Sequence, residues 1–220
     1  MIARLVFEKK GRAVWISHLD LMRLFQQAFQ RAQLPLKHTQ GFNPRPSVSI
    51  ALPMSVGVES GCELLEFELE GEMPPLAEMR KRLNDALVEG VRVLQIYEGG
   101  RKLRDLAYLN CSVLLEYDAG ITQSQAAAID ALFRRESLTV VKKTKNGPVD
   151  QDIIPMIRNM KIERAGEREL AIEALICCQN PALNPMQLIS AIELHCPILK
   201  PDHAICRRLE IYDTNETIFR

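Results

Sequence analysis

The feature that most constrains this chain is a change of hydrophobic period that recurs along its length. Stretches that alternate every second residue, as strands do, give way to stretches with apolar residues every third or fourth position, as helices do. Residues 3–7 read as a strand that ends near Lys9-Lys10-Gly11-Arg12. A short apolar piece, Ala13-Val14-Trp15-Ile16, leads to Ser17, an N-cap with Asp20 three residues later as an acidic variant of the capping box. Leu21, Leu24, Phe25, Ala28, Phe29 and Ala32 then form one helical face, which Pro35 ends. Beyond a Gly/Pro-rich loop, residues 47–52 and 64–69 alternate as strands. Pro74-Pro75 opens a second helix with Leu76, Met79, Leu83 and Leu87 on its face, Gly90 stops it, and residues 91–97 form a closing strand.

The second half repeats the order. Residues 108–117 read as a strand, Thr122 and Gln125 make a capping box before Ala126, Ile129, Leu132 and Phe133, and residues 138–141 are a strand followed by a polar loop over 142–149. Strands near 157–162 and 170–177 flank the hairpin-like turn Arg164-Ala165-Gly166-Glu167. Asn184-Pro185-Met186-Gln187 starts a helix, and residues 204–212 are the last strand. The expected fold class is therefore α+β: two ferredoxin-like β-α-β-β-α-β units in tandem, over residues 1–100 and 101–220, joined around residues 99–105. A length of 220 residues suits two small domains of this kind.

The 28 Lys and Arg balance 28 Asp and Glu, which excludes a chain that is basic overall and binds any polyanion. The zero sum hides segments. Residues 1–60 hold eight basic and three acidic side chains, residues 61–100 four and nine, residues 101–165 eleven and eight, and residues 166–220 five and eight. No run of eighteen apolar residues exists, so no membrane-spanning helix is expected. The N-terminus meets Glu8 before any signal-peptide core, and a cytoplasmic chain is the expectation.

Most of the six cysteines have apolar neighbours, as small buried thiols do, and there is neither a C-x-x-C nor a C-x-x-x-C-x-x-C for an iron–sulfur cluster. His195-Cys196 with His203 and Cys206 could ligate zinc. Adjacent ligands are poor geometry, so the better expectation is incidental thiols, with no metal and no cofactor. Phosphate-binding glycine motifs and a nucleophile elbow are also missing.

The basic excess of residues 1–60 coincides with the most unusual stretch, Gln40-Gly41-Phe42-Asn43-Pro44-Arg45-Pro46. Its prolines restrict themselves and the residues before them, and Gly41 permits positive φ, so a shaped loop is expected. His38, Gln40, Asn43 and Arg45 surround it, and the first helix carries His18 and a polar stripe of Asp20, Arg23, Gln27 and Arg31. One interpretation is a solvated helix face beside a rigid turn, with Ser17 and Asp20 spent on capping. The other is a polar groove where loop and helix meet, with Arg and His for an anionic ligand and Phe42 either stacking on a base or anchoring the loop. Lys142, Lys143 and Lys145 form a second basic cluster in the corresponding region of the second half.

Four runs together carry a resemblance: Ile16-Ser17-His18-Leu19-Asp20-Leu21-Met22-Arg23, then Arg31-Ala32 with Leu34-Pro35, then Gln40 to Pro46, then Val56-Gly57-Val58-Glu59-Ser60. In these the chain resembles the radical SAM-linked protein family, a domain of unknown function that occurs beside, or fused to the end of, a cobalamin-binding radical SAM protein. The resemblance implies a radical SAM partner that carries the cluster and cobalamin chemistry, while this chain binds or presents something. The leading expectation is a non-catalytic module that recognises substrate, RNA in the first instance, through His18, Asp20, Arg23, Arg31, His38, Gln40, Gly41, Phe42, Asn43 and Arg45. The alternatives are an endoribonuclease using His18 or His38 as acid/base, and a protein-interaction subunit docking its partner through the acidic 61–100 region.

Overall fold

The computed structural model describes residues 2–144 and 147–220. The chain is mixed α+β, and its contacts divide it into two units, Met1–Asp105 with Arg220 and Leu106–Phe219.

The first unit runs β1 (Ala3–Lys9), a 3-10 turn (Gly11–Trp15), α1 (His18–Arg31), β2 (Val48–Ile50), β3 (Val58–Phe67), α2 (Leu76–Ala86) and β4 (Val91–Glu98). Within it the strands pair antiparallel in the order β4-β1-β3-β2, with Leu5 opposite both Leu65 and Ile96, and Val48 opposite Phe67. α1 forms where the apolar spacing predicts it. The Ser17 hydroxyl accepts the Asp20 amide hydrogen at 3.2 Å, and Leu21, Phe25, Ala28 and Phe29 are buried. Phe25 meets Phe7 edge-on at 4.7 Å between ring centroids and Phe29 meets Phe67 at 4.8 Å, so two aromatic contacts fix the helix to the sheet. Each aromatic side chain removed from water contributes on the order of 1.5–3 kcal/mol.

β3 starts six residues earlier than the alternation over 64–69 suggests. It is a central strand whose residues 62–65 are all buried, Glu63 included, and that continuous burial erases the two-residue period. A polar ladder also crosses the sheet. Arg4, 2% exposed, pairs with Glu66 at 2.5 Å, donates to the Arg101 carbonyl at 2.8 Å and lies 5.8 Å from the Tyr97 ring. Glu66 and Tyr97 are its cross-strand partners in register.

Two helix ends in this unit are closed from outside. Arg82 of α2 donates to the carbonyls of Ala32, at 2.8 Å through Nε, and of Gln33, at 2.9 Å, where α1 ends. Arg31 of α1 donates to the Ala86 carbonyl at 2.9 Å, where α2 ends. Each arginine thus satisfies carbonyls that its neighbouring helix cannot bond internally. After α2 the chain turns at Gly90, whose φ is +87° and whose missing Cβ would lie 2.5 Å from the Lys10 carbonyl oxygen.

The second unit runs β5 (Leu106–Glu116), α3 (Gln123–Phe133), β6 (Thr139–Thr144), β7 (Gly147–Asp152), β8 (Ile157–Arg164), β9 (Glu169–Cys177), α4 (Met186–His195) and β10 (His203–Asp213). Four of its strands pair antiparallel in the order β10-β5-β9-β8. The Thr122–Gln125 capping box closes the start of α3. At the start of α4 the Asn184 side-chain oxygen accepts from the Met186 amide at 3.0 Å, and that of Gln187 accepts from the Asn184 amide at 3.0 Å. The segment expected as a polar loop over 142–149 differs. β6 and β7 form a separate antiparallel ribbon, with Val140 opposite Gln151 and Lys142 opposite Val149. Pro148, Lys142 and Lys143 hide a strand pattern in composition that reads as loop. Lys145 lies outside the described residues. No helix of the described residues is long and apolar enough to cross a membrane.

Candidate functional site

α1 does two jobs with two faces. Positions 21, 25, 28 and 29 face the core, while Arg23, Gln26, Gln27 and Gln30, at i, i+3, i+4 and i+7, make one polar row on another side. The chain leaves α1 through Leu34, Pro35 and Leu36, and Leu36 bridges to Leu69. That return brings Leu34, Pro35 and Leu36 into the same groove lining as the polar row. The groove, of about 500 Å³, is completed by Phe29, His38, Pro46 and Glu70.

The Gly/Pro loop grows from the groove's edge. His38 and Pro46 form a backbone bridge at its base. One step further out, the Thr39 amide donates to the Arg45 carbonyl at 2.8 Å, and the Arg45 amide donates to the Thr39 hydroxyl at 3.0 Å. Below the bridge the Lys37 amide donates to the Glu68 carbonyl at 2.9 Å, and the Lys37 ammonium pairs with the Glu68 carboxylate at 3.1 Å, which lowers the pKa of that carboxyl. Beyond the Thr39–Arg45 rung, residues 40–44 stand in solvent, with Gly41 at φ +135°. Phe42 is fully exposed at 107%, so it does not anchor the loop in the core.

The structure therefore gathers some of the expected residues and separates others. Arg23 and His38 line the groove together. Arg23 Nη1 reaches Asp20 Oδ1 at 3.1 Å, and Asp20 also accepts from the Ser17 hydroxyl at 2.7 Å. The Ser17 bond first, and Arg23 second, hold the Asp20 carboxyl below its ordinary pKa, so Asp20 serves the cap and steers Arg23. Arg31 is turned away to the end of α2, and Gln40, Gly41, Phe42, Asn43 and Arg45 sit on the exposed arm instead of lining the groove. His18, in the first turn of α1, is not among the lining residues; its Nδ1 is shielded from solvent without a hydrogen-bond partner. His38 Nδ1 lies 3.8 Å from Glu70 Oε1, too far for a hydrogen bond and close enough for an ion pair when the ring is protonated.

Gln26, Gln30 and Glu70 are groove residues that the polar stripe missed. The signal for Gln26 and Gln30 is the i, i+3, i+4, i+7 spacing from Arg23, not the i, i+3, i+7, i+11 line through Asp20 and Arg31; Glu70 lies outside the helix and has no such signal. Chemically the groove offers three amides, each both donor and acceptor, one cation and a His–Glu pair in a lining shared with Leu and Pro. Elsewhere, His195 Nε2 lies 2.7 Å from the Thr139 carbonyl oxygen. Burial pushes the thiols of Cys178 and Cys206 up to about 12, which suits apolar packing and not ligation as thiolates. No group of three or more His, Cys, Asp or Glu able to hold a metal occurs among the described residues.

A model of a family described as an uncharacterized protein conserved in bacteria (DUF2344) matches residues 3–185. No curated protein matches the chain. Among solved structures, a chain of a Cbf5–Nop10–Gar1 complex is similar with a TM-score of 0.52 at 6% identity, over 95% of this chain. This chain spans only 48% of that one, and the likeness is one of fold. A protein from Galdieria sulphuraria aligns over 97% of this chain and 98% of its own, at 8% identity and a TM-score of 0.27.

Proposed function

The chain belongs to the DUF2344 family of bacterial proteins, and from its groove and loop we propose that it is a non-catalytic RNA-recognition module working with a radical SAM partner enzyme. The observation that carries the RNA part is the juxtaposition of Arg23 and His38 in one groove with an arm bearing Phe42 and Arg45 at its edge. A cation for phosphate, amides for base edges and an exposed aromatic ring are the parts from which single-strand recognition is assembled. The partner rests on the resemblance to the radical SAM-linked family: cluster and cobalamin would sit on the partner, and this chain would hold the substrate. On this reading both units are ferredoxin-like, with β6–β7 inserted in the second; the shared sheet order, last strand beside first, first beside third and third beside second, supports it.

The test is retention of cellular RNA by the purified chain in 50 mM salt. Retention that fades as salt rises is expected, and Arg23→Ala with Arg45→Ala weakens it about tenfold or more and flattens the salt slope by roughly 0.7 per cation removed. No retained RNA at low salt removes the proposal. If the radical SAM protein copurifies without RNA, the chain is a protein-docking subunit instead. A second reading, an RNA-processing enzyme, is favoured by His38 with Glu70 3.8 Å away in the same groove, a histidine and a carboxylate near enough for acid/base work. Under that reading the chain cleaves total RNA and His38→Ala, or His18→Ala, does not; a recognition module leaves RNA intact.

A further inference from the structure

We infer that the groove takes one unstacked base of single-stranded RNA, with Phe42 stacking on its neighbour; this rests on the RNA-recognition reading above. The groove's lining is of two kinds. Pro35 and Pro46 supply apolar lining, with Leu34 and Leu36 largely buried, and Gln26, Gln27 and Gln30 supply amides. A planar ring with a hydrogen-bonding edge satisfies both kinds of lining at once, and a simple anion does not. The charge pattern sets its orientation. Arg23 is cationic and Glu70 anionic, so a phosphate is drawn toward Arg23 and repelled from Glu70, which leaves the His38–Glu70 side for the base.

Phe42 supplies the second contact. It is four residues from His38, so its Cα stands at most about 14 Å from the groove's edge. Its ring is wholly in solvent, on an arm closed by the Thr39–Arg45 rung and bounded by Pro44 and Pro46. An aromatic ring wholly in solvent on an arm closed at its base offers both faces to a stacking partner. Arg45, three residues on, is exposed and supplies the second cation. A double helix keeps its bases stacked and fits neither contact, so the site selects single strands.

The experiment compares a labelled ten-nucleotide RNA, single-stranded and annealed to its complement, by fluorescence anisotropy with the full chain. The single strand should bind at least tenfold tighter than the duplex. Its affinity should fall with salt with a logarithmic slope near −1.4, as two phosphate contacts give. Phe42→Ala should cost about tenfold or more on the single strand and nothing on the duplex, and Phe42→Trp should retain binding. The paired variant Gln27→Ala with Gln30→Ala should weaken the single strand alone, with an unchanged melting temperature as its control. Equal affinity for both forms, or a Phe42→Ala chain as tight as the parent, overturns this inference while RNA binding stands. No binding to either form removes the RNA reading itself, and this inference with it.

Discussion

Both units elaborate the same connection, the one between their first helix and second sheet strand, and they do so in opposite ways. In the first unit it is an arched Gly/Pro arm with one closing rung and a tip in water. In the second it is the β6–β7 ribbon, which is tied down near its base, while Val141 and Val149 are exposed. Val140 is 1% exposed, His195 meets the Thr139 carbonyl, Lys142 Nζ donates to the Ala182 carbonyl at 3.2 Å, and Gln187 donates to Gln151 at 3.3 Å. A connection that crosses the end of a sheet is free to vary, because the sheet's register does not depend on it. One unit uses that freedom to hold a tip in water, the other to anchor the base of a ribbon.

The sharpest way to break this contrast is to place a charge in each connection. Val140→Asp leaves a carboxylate in the packed ribbon and should cost the second unit about 4 kcal/mol in a denaturant titration. Phe42→Asp, in the exposed arm, should change stability by no more than about 0.5 kcal/mol. Equal costs would mean that the arm is packed as the ribbon is. Next in size, Gly90→Ala forces a Cβ onto the Lys10 carbonyl at a positive φ and should cost about 3 kcal/mol. Amide exchange should locate that loss in β1 and β4 and not in the second unit.

A smaller effect separates the groove's frame from its lining. Arg82→Ala leaves the last carbonyls of α1 without their donor and should destabilise the first unit by about 2 kcal/mol. The corresponding cut in the polar row, Gln26→Ala, should leave its melting curve unmoved. The smallest effect concerns the ribbon's base, where Asp152 Oδ1 accepts from the amides of Leu138, at 3.0 Å, and Ile154, at 3.1 Å. These bonds lower the Asp152 pKa, the Leu138 amide most. A depressed native pKa stabilises the fold above the ordinary aspartate value, and the gain is lost as pH falls through the native one. The parent should therefore weaken below about pH 4, and Asp152→Asn, which cannot titrate, should weaken less over that range.

How much of this was legible depended on whether period and neighbourhood agreed. α1, with its Ser17 cap, and α3, with its Thr122–Gln125 box, were readable because local bonds suffice to mark them. The early start of β3 was not, since Glu63 and Gly61 break the alternation in a strand buried on both sides. The ribbon was hidden for the opposite reason: Lys142, Lys143 and Pro148 look like loop, and pairing across the ribbon, which no local period marks, makes them strand. Of the polar stripe Asp20, Arg23, Gln27 and Arg31, only Arg23 and Gln27 line the groove. At 3.6 residues per turn, Asp20 and Arg31 lie about 60–80° to one side of Arg23, whereas Gln26 and Gln30 lie to the other. Which side faces the loop is decided by Leu36 pairing with Leu69, a contact between distant residues that no local spacing encodes.

The crossed arginines at the ends of α1 and α2 have a kinetic meaning. Each helix can fray its last turn only after the other has released it, so the two ends open together, in a single event, instead of flickering independently. The polar row on α1 is carried by the same helix. Gln30, the row's last member, lies in that last turn, so its lifetime as part of a formed surface depends on α2, an element that contributes no lining residue to the groove.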